Sequence, residues 1–328
     1  MNAPAVFPPP SPRTPEPEHG TPGVPLDAAA QRLHARLRTA GLTVLGQLLD
    51  SSNTTLLSRL EDCDDSDDSE HVIYKPVAGE RPLWDFPDGH LAYREVATWL
   101  VATAGGWDVV PPTVWRDGPF GPGSVQRWVT AVPTDAPSDS PEEEGEFSSG
   151  EEHAPGEEIE VDTDVERSDR FVGLFDPAAL PQGWLPVLSG RLAAGGHVVV
   201  AHADRADLRS VAVLDAAINN SDRKGSHLLT GLDGRLWCID HGVTLHQEDK
   251  LRTVLWGWAG QPIPEADLER LERLRVALEP SSALAARLGE LLTRVEAAAL
   301  RRRVRDLLTT QRHPMPSPDW PCVPWPAL

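Results

Sequence analysis

Residues Val213–Gly242 read VLDAAINNSDRKGSHLLTGLDGRLWCIDHG. The apolar periodicity that starts upstream predicts a helix over 206–219, yet Asn219 and Asn220 are followed at once by Asp222, Arg223 and Lys224. A helix end favours Lys and Arg over Asp, because the peptide dipoles leave it partly negative. Asp222 therefore needs a reason beyond ending a helix. Next come two short apolar runs, 228–232 and 235–239, joined through Asp233-Gly234, which predicts a β-hairpin. A second aspartate, Asp240, then stands between the strand and Gly242. Two carboxylates thus follow two elements that should be buried.

Upstream, Leu26–Ala40 has the spacing of an amphipathic helix closed by Gly41. The runs 42–49 and 54–60, split by Asp50-Ser51-Ser52-Asn53, predict a hairpin, and HVIYKPV (71–77) a third strand. Residues 90–105 repeat apolar residues at helical spacing, and 107–115 and 123–132 predict two further strands. Beyond residue 168 the expectation is helical, around 184–195, 206–219, 249–257, 264–278 and 281–309. Strands and helices are segregated along the chain, which is an α+β pattern.

The 328 residues suffice for two lobes. The net charge of -20 is local: 61–70 holds seven acids and 134–166 fourteen, with no Lys or Arg in either. Without them the chain is near +1, so no basic nucleic-acid footprint exists. Three scattered cysteines, Cys63, Cys238 and Cys322, make neither a CxxC pair nor a disulfide framework. No secretory leader or membrane span is expected, which suggests a soluble, cytoplasmic protein. The expected organisation is a disordered Pro-rich tail (1–25), a β-rich lobe (26–132), an acidic disordered insert (133–168), a helical lobe (169–312) and a Pro/Trp-rich tail (313–328).

Four charged residues interrupt this apolar pattern: Lys75 inside the third strand, Glu95 on the helix of the small lobe, Asp222 and Asp240. Phosphoryl transfer uses such a set: a lysine on the phosphates, a carboxylate that orients it, an aspartate for the metal and another for the attacking hydroxyl. The spacing also fits, since a catalytic loop, a short hairpin and a metal-binding Asp-x-Gly follow one another in protein kinases. Taken singly, each residue has a plainer reading. Lys75 could snorkel from an edge strand, Glu95 could face solvent, Asp240-His241-Gly242 could be a turn and His227 a core histidine.

In its lysine, glutamate and two aspartates the chain resembles the atypical kinases with a phosphatidylinositol 3/4-kinase-like catalytic domain, and in the phrases YKPVAGERPLWDFP, REVA, VPPTV and NNSDRKGSHLL…IDHG it resembles an actinobacterial group of them. The NNSDR stretch is also similar to that of HipA-type toxin kinases. The resemblance implies a bilobal protein-kinase-like fold with ATP and Mg²⁺ or Mn²⁺ in its cleft. By position it implies Lys75 on the α/β-phosphates, Glu95 orienting it, and Ser51, Ser52 and Asn53 in the loop over the phosphates. Segment 126–129, with Gln126 and Trp128, would lie beside the adenine. Asp222 and Lys224 would serve catalysis, and Asp240 with His227 the metal. The chain departs from the family in lacking G-x-G-x-x-G, in Lys224 and His227 within D-R-H-x-x-N, and in His241 within D-F-G. Imidazole suits Mn²⁺ or Zn²⁺ better than Mg²⁺. The implied activity is transfer of the γ-phosphoryl group to a hydroxyl of a protein, lipid or small molecule. The alternatives are a nucleotide-binding module without turnover, and nucleotidyl transfer. A phosphatidylinositol acceptor is disfavoured by the absence of a basic membrane-binding helix.

Overall fold

The computed structural model describes residues 27–48, 53–61, 70–81, 83–84, 86, 90–132, 160–161, 171–192 and 196–328. The expected disorder of 1–25, and of 133–168 apart from 160–161, lies outside the described residues. The fold is α+β with two lobes, a β-rich one and a mainly helical one.

The first lobe begins with α1 (Ala28–Thr39) and holds β1 (Gly41–Gln47), β2 (Leu56–Glu61), β3 (His71–Pro76), α2 (Leu91–Gly105), β4 (Thr113–Gly118) and β5 (Gly121–Arg127). The strands form one antiparallel sheet in the order β1-β2-β3-β5-β4. β4 starts later than the apolar run predicts, because Pro111 and Pro112 have no amide to give the ladder. Alternation along β3 sends Val72 and Tyr74 to one face, where they pack with Leu37 of α1, Val114 and Val125. The same alternation commits His71, Ile73 and Lys75 to the other face.

α2 departs from an ordinary surface helix. Twelve of its fifteen residues are buried, so it has no solvent face and acts as a core element shared by both lobes. Val96, Trp99 and Leu100 pack with Leu214, Ile218, Leu271 and Leu300 of the second lobe. Gly106, at φ 86°, supplies the left-handed residue that ends it.

The second lobe contains β6 (Glu160–Val161), β7 (Val172–Phe175), β8 (Trp184–Leu192), β9 (His197–Ala203), α3 (Ala206–Ile218), β10 (Leu228–Thr230), β11 (Leu236–Cys238), α4 (Glu265–Ala277), α5 (Ala283–Leu291) and α6 (Arg294–Thr310). Four strands make a sheet of order β6-β8-β9-β7, which corrects the helix expected over 184–195. The β-branched run of β9 offers a continuous ladder to its neighbour, and Pro186 is accommodated where the register shifts between Pro186 and Leu188. Within the insert read as disordered, Glu160–Val161 pairs parallel to β8. The helix expected at 249–257 is only a 3₁₀ turn at Trp256–Trp258. The one expected over 281–309 is split, because Thr293 and Glu296 form a capping box that starts α6 afresh. The β10–β11 hairpin and α3 lie where the sequence predicts them.

Candidate functional site

The two lobes meet over a cleft of about 300 Å³ whose lining includes Asn53, Lys75, Glu95, Asp222, Asp240 and Arg252. β3 delivers Lys75 on the cleft side of the sheet, and α2 brings Glu95 to meet it. Their ammonium and carboxylate form an ion pair, and the lysine also bonds Asp240 Oδ1 at 2.9 Å. One cation thus joins a strand and a helix of the first lobe to a loop of the second. Glu95 is 2 % exposed, and its other oxygen accepts from the His241 backbone N–H at 3.1 Å. Burial raises the Glu95 carboxyl against the pull of Lys75. The Lys75 ammonium beside it holds the Asp240 carboxyl well below the usual range. Burial opposes the charge on Lys75, yet the Asp240 and Glu95 carboxylates prevail and raise its pKa.

Asp240 sits in the left-handed region at φ 57°, which Asp tolerates better than most residues and which turns its carboxylate back toward the cleft. His227 Nε2 lies 3.6 Å from Asp240 Oδ2. Burial pushes this imidazole down to about 4, so it is neutral at pH 7 with a lone pair to offer. Its Nδ1 is buried without a hydrogen-bond partner. Among the described residues no group of three His, Cys, Asp or Glu side chains is placed to hold a metal, so Asp240 and His227 form a two-donor edge.

Asp222 is part-buried, and burial raises its carboxyl above the ordinary value against the pull of Lys224. Lys224 Nζ stands 3.3 Å away. The loop that holds them is set by the two asparagines. Asn219, at φ 53°, ends α3, and its side chain donates to the Glu248 carbonyl and accepts from Lys250 N. Asn220 Oδ1 accepts from Asp222 N at 3.0 Å.

Of the expected site residues, the cleft gathers Asn53, Lys75, Glu95, Asp222 and Asp240, with Lys224 paired to Asp222 and His227 beside Asp240. Ser51 and Ser52 lie outside the described residues. Gln126 and Trp128 do not line this cleft. Gln126 shares the Lys75 face of the sheet, but its amide is spent on Thr113 Oγ1 at 2.8 Å. Trp128 lines a second cavity of about 380 Å³, with Arg127, Thr130, Gly231 and Trp237, between the end of β5 and the β10–β11 hairpin. Four residues were not anticipated. Asp215 and Arg223 form a buried pair beneath the loops, while Arg252 and Trp320 line the cleft. A lone acid inside VAVLDAAI is the one signal that could have revealed the first two.

A β-rich lobe set on a mainly helical one, with a strand lysine held between a helix glutamate and an aspartate of the opposite lobe, is a kinase-like architecture. The chain belongs to the same family as protein Rv2133c of Mycobacterium tuberculosis, to which it is 45% identical over 298 residues, 90% of this chain and 95% of that one. No protein-family model matches the sequence. Among solved structures, the Golgi casein kinase aligns over 88% of this chain and 76% of its own at 13% identity and a TM-score of 0.47. Its structure with Mn/ADP bound aligns over 88% and 77% at 14% identity and a TM-score of 0.48. Hydra Fam20 with sugar aligns over 89% and 91% at 12% identity and 0.44. No described helix is long and apolar enough to cross a membrane.

Proposed function

We propose that this chain is an ATP-dependent phosphotransferase of the atypical-kinase type, nearest in its motifs to the phosphatidylinositol 3/4-kinase-like and HipA-like groups. The observation that carries the proposal is the Lys75 ammonium, bonded at once to Glu95 of α2 and Asp240 of the other lobe. A lysine held in this way offers a fixed positive charge to nucleotide phosphates in the cleft. Asp222 stands across the cleft floor as the group that takes the proton of an acceptor hydroxyl. Its raised pKa suits that task better than an ordinary carboxylate would. In the transfer, the acceptor oxygen forms a bond to the γ-phosphorus, its proton passes to Asp222, and the bond to the ADP oxygen breaks. Lys224 lies close enough to Asp222 to meet the negative charge on the moving phosphoryl group.

The donor set fits a divalent ion. Asp240 is ionised, His227 is neutral, and the mixture of oxygen and imidazole nitrogen favours Mn²⁺ over Mg²⁺. An ion held there would neutralise charge on the phosphate oxygens. A second reading, a nucleotide-binding module without turnover, is favoured by one observation: Asp240 and His227 supply only two donors.

ATP turnover and thermal shift, each with Mg²⁺ and with Mn²⁺, test both readings. We expect metal–ATP to raise the Tm of the wild type, to leave Asp240→Ala unmoved, and to be turned over by the wild type alone. Stabilisation without turnover in any acceptor mixture selects the module. Equal responses of wild type and Asp240→Ala overturn both.

A further inference from the structure

Beneath the cleft, one guanidinium touches both loops that carry the candidate metal donors. Arg223 is fully buried and paired with Asp215 of α3, also fully buried, through Nε at 3.0 Å and Nη2 at 3.0 Å. Its Nη1 donates to the carbonyl of His227 at 3.4 Å and to that of Ile239, the residue before Asp240, at 3.2 Å. Its Nη2 meets Nε2 of His241, the residue after Asp240, at 2.9 Å. Asp215 also accepts from the Asn220 side chain at 3.0 Å, and Asn220 in turn holds Asp222 N. A single buried acid on α3 is therefore connected to the backbone at Asp222, His227 and Ile239, and to the His241 side chain.

A buried ion pair stabilises a core no better than an apolar pair of the same volume, since both charges must be desolvated. What an apolar pair cannot supply is a rigid fork of directed N–H bonds. We propose that Asp215 and Arg223 are positioning residues that hold the His227 loop and the Asp240 loop at one fixed spacing, so that imidazole and carboxylate present a preformed edge to a divalent cation. The proposal rests on the phosphotransferase reading for the identity of the ligand. The role belongs to Arg223 and not to lysine, because one ammonium cannot reach two carbonyls, an imidazole and a carboxylate together.

The test uses the full chain with Mn²⁺ and ADP as probes. Free Mn²⁺ is followed by electron paramagnetic resonance, and ADP binding without metal is followed by calorimetry. Two variants are compared with the wild type: Arg223→Lys, and the charge-balanced pair Asp215→Asn with Arg223→Gln, in which no buried charge lacks a partner. We expect the Kd for Mn²⁺ to rise about tenfold or more in both, the range for partners that orient metal ligands. ADP affinity without metal should stay close to wild type. A purely structural pair would lower Tm and leave the Mn²⁺ Kd where it was. Wild-type Mn²⁺ affinity in a folded variant overturns the positioning role and spares the phosphotransferase reading. Absence of Mn²⁺ binding in the wild type overturns the metal part of that reading and the positioning role with it. If Arg223→Lys does not fold, the charge-balanced variant decides.

Discussion

Arg94 precedes Glu95 on α2 and forms a second buried ion pair, with Glu296 at the start of α6; the side chains are 3 % and 5 % exposed. Its Nη1 donates to the Thr244 carbonyl at 2.8 Å, and its guanidinium lies 4.9 Å from the Phe86 ring centre. Arg94→Leu would strip Glu296 Oε1 of its partner while the carboxylate stays buried. Removing one member of such a pair costs about 3–5 kcal/mol. Glu296 also works through Oε2, which accepts from Thr293 N and Thr293 Oγ1, both at 2.9 Å, in the capping box of α6. A glutamine can keep that cap without the charge. Arg94→Leu combined with Glu296→Gln should therefore recover about 2 kcal/mol or more of the loss, because no uncompensated charge remains. For a chain of this size the single variant should lower Tm by roughly 4–7 °C. Thermal unfolding of the four proteins, read by near-UV circular dichroism as a double-mutant cycle, measures both quantities. A loss under about 1 kcal/mol for Arg94→Leu, or a double variant as unstable as the sum of the singles, would refute the argument. In either case α2 would be held to the second lobe by its apolar packing and not through this pair.

Stability should fall as pH drops from 6.5 toward 4. Burial pushes His202 down to about 4, its Nδ1 lies 3.0 Å from the Ala203 carbonyl and its Nε2 accepts from Gly257 N at 3.0 Å. The unfolded chain takes up that proton near 6.5, so it binds more protons through this window, and the stabilisation present above it, at most about 3 kcal/mol, is lost on acidification. His34, His227 and His313 are pushed down to about 4 as well, so His202→Gln should lessen the Tm-against-pH slope there by its own share, and an unchanged slope would exclude His202 as a source. Removing residues 318–328 should lower stability by about 3 kcal/mol. The deletion takes away the Ala327 carbonyl from Gly225 N (2.8 Å) and the Cys322 carbonyl from Thr253 N (3.0 Å) and Trp256 Nε1 (2.7 Å). An unchanged Tm after truncation would show that the tail only lies on the surface.

The parts of the site that are legible in the sequence share one signature, a charge placed where the pattern demands burial. Lys75 within HVIYKPV and Glu95 on an apolar helix announce each other, because a buried charge is costly unless it meets its opposite. The period of two in β3 even fixes which face Lys75 must take. Pairings between distant segments leave no such local mark. The ladder of β8 with β9 is set by which strand is available to pair, so Trp184–Leu192 reads as helix until its neighbour is known. Trp128 illustrates the same limit: its place in the chain follows from the resemblance, but which cavity it lines depends on how the β10–β11 hairpin meets the end of β5. Asp215 is the instructive case, since it carries the legible signature and is still overlooked. An acid in the middle of VAVLDAAI must be neutralised, and the nearest cation past the end of the helix is Arg223, eight residues on. The rule that makes Lys75 call for Glu95 makes Asp215 call for Arg223. Applied to every buried charge and not only to those with a place in a known motif, it reaches the structure beneath the cleft as well as the cleft itself.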